Sequence, residues 1–264
     1  MKIVDLTEDR KELFCLCLED WSEDARESGP KRREWLDRCR SDCGLRAKLA
    51  LDDNGLEGGM IQYMPIEHTH VEGSGLYFVY CIHVHGYRKG RGDFRRHGMG
   101  KALLAAAEED ARSLGAKGMA AWGLWLPFWM RASWFRKQGY RRSDRRGITE
   151  LVWKPFTDDA VPPRWPPKAS KQPEPVAGKV NLTAFSSGWC LAQNLTYERA
   201  KRAAAGFGDR VVFREIDTST REAVAEWGRL DDVLLDGRSL QKGPPPSYEK
   251  IRKAIARKVA RLGK

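Results

Sequence analysis

Apolar positions along this chain alternate between two spacings, and each change of spacing marks an element. Leu6 to Leu18 and Lys31 to Arg40 suit helices. Arg46 to Leu51 alternates as a strand, Asp53-Asn54-Gly55 makes a tight turn, and Gly59 to Met64 returns as the hairpin partner. Leu76 to Val84 is a longer strand rich in aromatic and β-branched residues. A glycine- and arginine-rich loop follows, and a helix begins near Gly98 to Lys101. There Leu103, Ala107, Ala111 and Leu114 recur at helical spacing and Gly115 is placed to end the run. A short strand around Met119 to Trp122, a helix near Phe128 to Lys137 and a strand near Thr149 to Trp153 complete the first region.

Seven prolines between Pro155 and Pro175 then break the pattern and predict a semi-extended linker. The expected organisation is a domain over 1–154, a proline-rich linker over 155–179 and a second domain over 180–264. In the second domain, Val180 to Phe185, Leu191 to Ala205 and Arg210 to Ile216 read as a β-α-β unit. Thr220 to Trp227 is a short helix. Val233-Leu234-Leu235 and Arg238-Ser239-Leu240 flank an Asp-Gly turn, and Ser247 can cap a last helix striped with Ile251, Ile255, Val259 and Leu262.

Composition narrows the class. With 41% hydrophobic and 31% charged residues, the chain has the balance of a folded protein rather than a disordered one. It opens without a secretory apolar core and holds no bilayer-length apolar run, so a cytoplasmic location without membrane association is expected. Six cysteines show no framework spacing. Cys39 and Cys43, with His68 and His70 downstream, lack a second knuckle for a zinc set, so no metal is expected and the thiols read as small buried hydrophobes. The formal charge of +11 leaves two partner classes, nucleic acid or a polyanionic small ligand.

The loop Arg95-Arg96-His97-Gly98-Met99-Gly100, followed by Lys101, decides between them. The first N–H groups of a helix lack intrahelical acceptors and sit at its positive end. Glycines there let a phosphate approach the backbone closely. Arg88, Lys89, Arg91, Arg95, Arg96 and Lys101 surround the point. No aromatic RNP-like stacking motif accompanies them, so a compact phosphate fits better than RNA.

In register, Arg95, Gly98 and Gly100 match Arg/Gln-x-x-Gly-x-Gly/Ala, the pyrophosphate motif of the GCN5-related N-acetyltransferases. Ile82-His83-Val84 resembles that family's splayed strand, whose backbone receives the pantetheine arm. Trp134 to Tyr140 resembles the end of its second motif, an aromatic pair followed by Gly-Tyr. The resemblance covers about Met1 to Lys154. It implies an α+β fold of the GNAT acyl-CoA N-acyltransferase type, a mixed central sheet flanked by helices. It also implies acetyl-CoA as cofactor, held by Ile82, His83, Val84, Arg95, Arg96, His97, Gly98, Met99, Gly100, Lys101, Phe135 and Arg136, with an amine-bearing small molecule or peptide as acceptor.

For the chemistry, regular alternation places Phe78, Tyr80, Ile82 and Val84 on one face of the long strand and Val79, Cys81 and His83 on the other. The positions similar to the family's base sites are Tyr80 and Phe78. His83 has the better pKa but the other face, and Glu67 at the end of the preceding strand is a third candidate. The family's usual acid is a Tyr, and its position here holds Phe135, which has no proton to give. Tyr140 is a substitute hydroxyl.

In the second domain, Gly188-Trp189-Cys190-Leu191-Ala192-Gln193 resembles a thioredoxin site whose resolving cysteine is replaced by Gln193. Together with Gly243-Pro244-Pro245-Pro246-Ser247-Tyr248 the region looks like the YoaP-like domain found beside some N-acetyltransferases. This implies a smaller thioredoxin-like α/β domain that shapes substrate choice. Cys190, at a helix start, is expected to be an activated thiol. The expected activity is acetyl transfer to an amine. A non-catalytic acyl-CoA- or thiol-binding regulator and a nucleic-acid-binding module are the alternatives, and a homodimer is left open.

Overall fold

The computed structural model describes residues 1–126, 129–169, 171–240 and 243–262. The chain forms two compact units, Met1–Ser22 with Leu36–Pro166, and Glu23–Trp35 with Pro167–Lys264. The first contains β1 (Lys2–Asp5), α1 (Lys11–Cys15), the last third of α2 (Glu23–Asp42), β2 (Arg46–Leu51), β3 (Glu57–Pro65) and β4 (Leu76–Val84). It continues with the small strands β5 (Gly86–Tyr87) and β6 (Gly92–Asp93), then α3 (Met99–Ser113), β7 (Gly118–Leu124), α4 (Ala132–Arg136), β8 (Arg141–Arg146) and β9 (Thr149–Pro155). Seven strands make one mixed sheet in the order β1-β2-β3-β4-β7-β9-β8, in which only β4 and β7 pair in parallel. The unit is α+β.

Helix α3 lies against this sheet because its apolar stripe has somewhere to go. Leu103, Leu104, Ala107 and Ala111 are buried with Ile61, Val79, Ala121 and Val152. Burying one such leucine contributes roughly 1.5–3 kcal/mol. Gly58 makes the approach at the helix start close, since a Cβ there would come within 2.5 Å of the Phe94 ring and 2.8 Å of the Met99 sulfur. Beside this core, Asp110 of α3 accepts from the Arg46 guanidinium and, at 2.6 Å, from the Tyr63 hydroxyl. Burial, with Asp110 next to it, pushes the Tyr63 phenol up.

The expected helix over Leu6–Leu18 is shorter in the structure. Lys2–Asp5 pairs with β2 as a strand, and Cys17 and Leu18 adopt positive φ just beyond α1. The helix expected from Phe128 is the five-residue α4, and Phe128 itself lies outside the described residues. Strand β8, Arg-Arg-Ser-Asp-Arg-Arg, has no apolar alternation because it is the edge of the sheet.

The regular alternation read along β4 does not hold. Gln62 pairs with Cys81 but its neighbour Tyr63 pairs with Val79, so Tyr80 is an extra residue, a β-bulge. As a result Ile82 and Val84 pack on the α3 side with Tyr77 and Val79, while the Phe78 and Tyr80 rings touch each other at 5.2 Å and are not part of that cluster. The residues after β9 also depart from a free linker. Phe156 N–H donates to Lys117 O, Arg164 and Glu72 exchange backbone hydrogen bonds, and Trp165 N–H donates to the Asp144 carboxylate at 2.8 Å. This strap belongs to the first unit as far as Pro166.

The second unit holds β10 (Val180–Ser186), α5 (Leu191–Ala205), β11 (Val211–Asp217), α6 (Arg221–Trp227), β12 (Asp232–Leu235), β13 (Arg238–Ser239) and α7 (Tyr248–Val259). Its sheet runs β11-β10-β12-β13, with β10 and β11 parallel and the other pairs antiparallel. Helices α5 and α7 bury Tyr197, Ala200, Ile251 and Ile255 against Leu182 and Ala184. Thr220 and Ser247 cap α6 and α7 with their side chains. The first two thirds of α2, Glu23–Trp35, join this unit. Lys31 Nζ lies 4.0 Å over the Tyr197 ring and 2.6 Å from Glu215, and Asp24 and Glu27 pair with Arg199 and Arg202. Among the described residues no helix is long and apolar enough to cross a membrane.

Candidate active site

The first unit carries a cleft of about 780 Å³ at the start of α3. Gly98 precedes the helix in the left-handed region at φ 81°, with no heavy atom near the place a Cβ would take. No side chain caps this helix start, and no acidic residue stands in its first turn. The N–H groups there thus open toward the cleft with their partial positive charge uncancelled. Arg95, Arg96 and Lys101 line the same cleft, as do Gly98, Met99 and Gly100. An anion of phosphate type fits this arrangement.

The other basic residues expected here are differently engaged. Arg91 donates to the Glu57 backbone oxygen at 3.0 Å and pairs with the carboxylates of Glu57 and Asp20. Lys89 sits over the Trp21 ring at 4.9 Å. Arg95 is held by Asp93, whose carboxylate accepts from its backbone N–H at 3.0 Å, from Nε at 2.9 Å and from Nη2 at 2.6 Å. Those bonds hold the Asp93 carboxyl well below the usual range. The stem of Arg95 crosses Gly86, where any Cβ would come within 2.5 Å of Cδ. The spacing Asp-x-Arg is the sequence signal for this pair.

The cleft continues along β4. Parallel pairing of β4 with β7 ends at Val79 and Ala121, although both strands run on. From Tyr80 onward β4 has no strand partner on that side among the described residues. At the divergence the Trp122 indole donates to the Tyr80 carbonyl at 2.8 Å. Ile82 and Val84 line the cleft beyond this point, and Phe135 closes it from α4. Trp134, the first of the aromatic pair read from sequence, lines it as well, and so does Arg131, which the sequence did not single out.

Other expected residues lie elsewhere. His83 and His97 do not line the cleft. Arg136 is also absent from its lining; it donates instead to the buried carboxylate of Glu150. Glu67 is exposed in the turn after β3, where its carboxylate accepts from Gly75 N–H at 2.6 Å. Tyr80 sits at the bulge with its ring nearly buried. Phe135 is fully buried, 5.0 Å from Trp134 and 5.4 Å from Tyr140 between ring centres. Tyr140 lies behind Phe135 in the core, and burial raises its phenol pKa well above the ordinary value. Its proton does not reach the cleft. His85, by contrast, is a buried brace: its ring nitrogens meet Gly92 O at 2.6 Å and the Trp21 indole at 3.2 Å.

Cys190 is the N-cap residue of α5 in the second unit and is buried. Next to it, Ser187 donates to Asp231 from its backbone at 2.9 Å and from its hydroxyl. Burial pushes the Asp231 carboxyl up to about 6. Cys39, on α2, is raised to about 12 by burial and by Cys43, which keeps it a thiol at neutral pH. Among the described residues no three His, Cys, Asp or Glu side chains gather where they could hold a metal ion.

No family model matches the sequence, and no curated protein matches it. Solved structures do match. PaiA N-acetyltransferase from Thermoplasma acidophilum, in complex with coenzyme A, is 18% identical, with 59% of this chain and 100% of that one covered and a TM-score of 0.44. A GNAT family acetyltransferase from Brucella melitensis in complex with acetyl-CoA is 18% identical, covering 61% and 90%, with a TM-score of 0.40. A GNAT family N-acetyltransferase from Escherichia coli, in complex with CoA, is 14% identical over 60% and 82%, with a TM-score of 0.43.

Proposed function

We propose that the first unit is an acetyl-CoA-dependent N-acetyltransferase of the GCN5-related type, acting in the cytoplasm on an amine of a small molecule or peptide. We further propose that 180–264 is a thioredoxin-like, YoaP-like domain that contributes to substrate recognition. One observation carries the first part: an uncapped, acid-free helix start with three cations opens on a cleft that runs along an unpaired strand edge. The β-α-β-α-β-β-α order and the β11-β10-β12-β13 sheet support the second part.

Acetyl-CoA, when bound, supplies the activated acetyl group. The α3 N–H groups with Arg95, Arg96 and Lys101 suit its pyrophosphate, and the side of β4 at Ile82 to Val84, which has no strand partner there among the described residues, suits its amide-bearing arm. Phe135 and Trp134 exclude water from the same wall. Since Phe135 has no proton to give and Tyr140 is shut behind it, the departing thiolate takes its proton from the amine or from solvent.

Phe135 also favours a second reading, a regulator that binds acyl-CoA or thiols without turnover. Calorimetry with acetyl-CoA, followed by thiol release across a panel of amines in wild type and Cys190→Ser, separates the two. Micromolar binding with amine-dependent thiol release is expected. Binding without release from any amine supports the regulator, and no binding of acetyl-CoA removes both the transferase and the acyl-CoA-binding regulator.

A further inference from the structure

The face of β4 turned away from the cofactor cleft carries an arrangement that the proposed transfer leaves unused. His70, from the connection between β3 and β4, lies among three aromatic rings. Its ring centre is 5.5 Å from Phe78, 5.8 Å from Tyr80 and 5.8 Å from Trp165, the last stacked at 24°. Tyr80 is the bulge residue, at the place where β4 and β7 part. Trp165 comes from the strap and is fixed there twice over, by its N–H to Asp144 and by the Arg164–Glu72 pairing beside it. Its own indole N–H is buried and has no acceptor. A buried donor in that state is costly unless a ligand or water supplies an acceptor.

Resting on the acetyltransferase reading, we propose that His70 is the proton acceptor for the incoming amine, and that Trp165 positions both His70 and the acceptor. Tyr80 joins the two sides: its ring lies 5.8 Å from His70, and Ile82, two residues further along β4, lines the cofactor cleft where β4 has parted from β7. In the proposed transfer an amine held against His70 meets the acetyl group at this parting. Most primary amines are ammonium ions at neutral pH and cannot attack until one proton leaves. The His70 imidazole takes that proton and later returns it to water. The amine nitrogen then bonds to the acetyl carbon, the carbon–sulfur bond breaks, and its electron pair leaves on sulfur. The second nitrogen proton ends on that thiolate, directly or through water. The aromatic rings select against anionic acceptors and for a cationic or flat amine, because ring faces attract cations. The Trp165 indole donates to an oxygen of the same acceptor.

Charged and titratable groups around this point come from each packed element. Tyr80 belongs to β4, Asp144 and Arg146 to β8, and the Glu72–Arg164 pair ties the strap to the β3–β4 connection. Arg146 also sits 5.9 Å from the Trp165 ring.

The test uses the full chain, with acetyl-CoA and a panel of tyramine, spermidine, lysine methyl ester and an alanyl dipeptide. His70→Gln is expected to lower kcat/KM about a hundredfold at pH 7. The deficit shrinks as pH rises toward the amine pKa, while the acetyl-CoA Kd stays within about twofold. Trp165→Phe keeps the stack and removes only the N–H; it is expected to raise the KM of the amine several-fold at nearly constant kcat. His70→Asn, checked by its acetyl-CoA affinity, stands in if His70→Gln fails to fold. Full activity of the His70 variants, or a loss equal at every pH, overturns the inference while leaving the acetyltransferase reading intact. Absence of turnover in wild type overturns both.

Discussion

Helices α3 and α5 are each 15 residues long, each follows a strand and a glycine at positive φ (Gly98 at 81°, Gly188 at 89°), and neither start has a side-chain cap. Their surroundings differ. The α3 start faces a cleft with Arg95, Arg96 and Lys101 along it. The α5 start is closed: Trp35 lies so near Gly188 that a Cβ there would be 2.9 Å from it, Cys190 is buried, and Ser187 is bonded to the half-buried Asp231. The helix dipole is common to both, so it does not by itself make a binding site. Access and the sign of the neighbouring charge decide. At α3 the helix and its cations act together on a ligand from solvent; at α5 the local polar groups are consumed inside the fold.

The largest effect that would sharpen this contrast is at Asp231. The unfolded chain releases that proton near the ordinary 3.8, whereas the folded carboxyl holds it to about 6. The folded state therefore loses stability as pH rises from about 4 to about 6 and is level above that, by roughly 2–3 kcal/mol. Asp231→Asn should remove the fall and leave the second unit more stable than wild type at pH 7 but not at pH 4. Hydrogen-exchange protection of the α5 amides, measured at both values, reports it. Unchanged protection at pH 7 would mean that the closed junction is not held at an electrostatic cost.

Next in size is Arg95→Ala, which should weaken acetyl-CoA binding on the order of tenfold or more, with a shallower salt dependence. Calorimetry at two salt concentrations checks this. A null result would make the open α3 start as inert as the α5 one. The smallest effect expected is from Asp93→Asn. Arg95 is paired with that exposed carboxylate in the free protein, and releasing it should tighten acetyl-CoA binding by about two- to fivefold at low salt. Weaker binding would show instead that Asp93 aims the guanidinium rather than competing for it.

Much of the secondary structure was legible because the elements are long and half-buried. Arg46–Leu51, Leu76–Val84 and Leu191–Ala205 have the bounds that their alternation or periodicity predicts. Strand β8 was not, since an edge strand of arginines is indistinguishable from a loop by hydropathy. The Tyr80 bulge was invisible for a different reason: it exists only in the register of β4 against β3, and no residue type announces it. That single extra residue moved Ile82 and Val84 to the α3 side. In the candidate site, the glycines and arginines of 95–101 carried a clear local signal. Arg131 carried none, because it reaches the cleft only through the packing at the start of α4. Trp165 sat in a stretch whose prolines read as a spacer, whereas the bonds of Arg164 to Glu72 and of Trp165 to Asp144 make that stretch part of a folded surface.

The division of α2 between the two units has a consequence for how the protein is made. Glu23–Trp35 is synthesised more than 150 residues ahead of its partners Gly188, Arg199, Arg202 and Glu215. A nascent chain must therefore hold this helix segment until the residues it pairs with in the second unit have been made. The second unit cannot close as a contiguous block, and cutting the gene at the proline stretch would separate it from its own first helix. Long sequence separation of this kind slows folding and leaves apolar surface waiting.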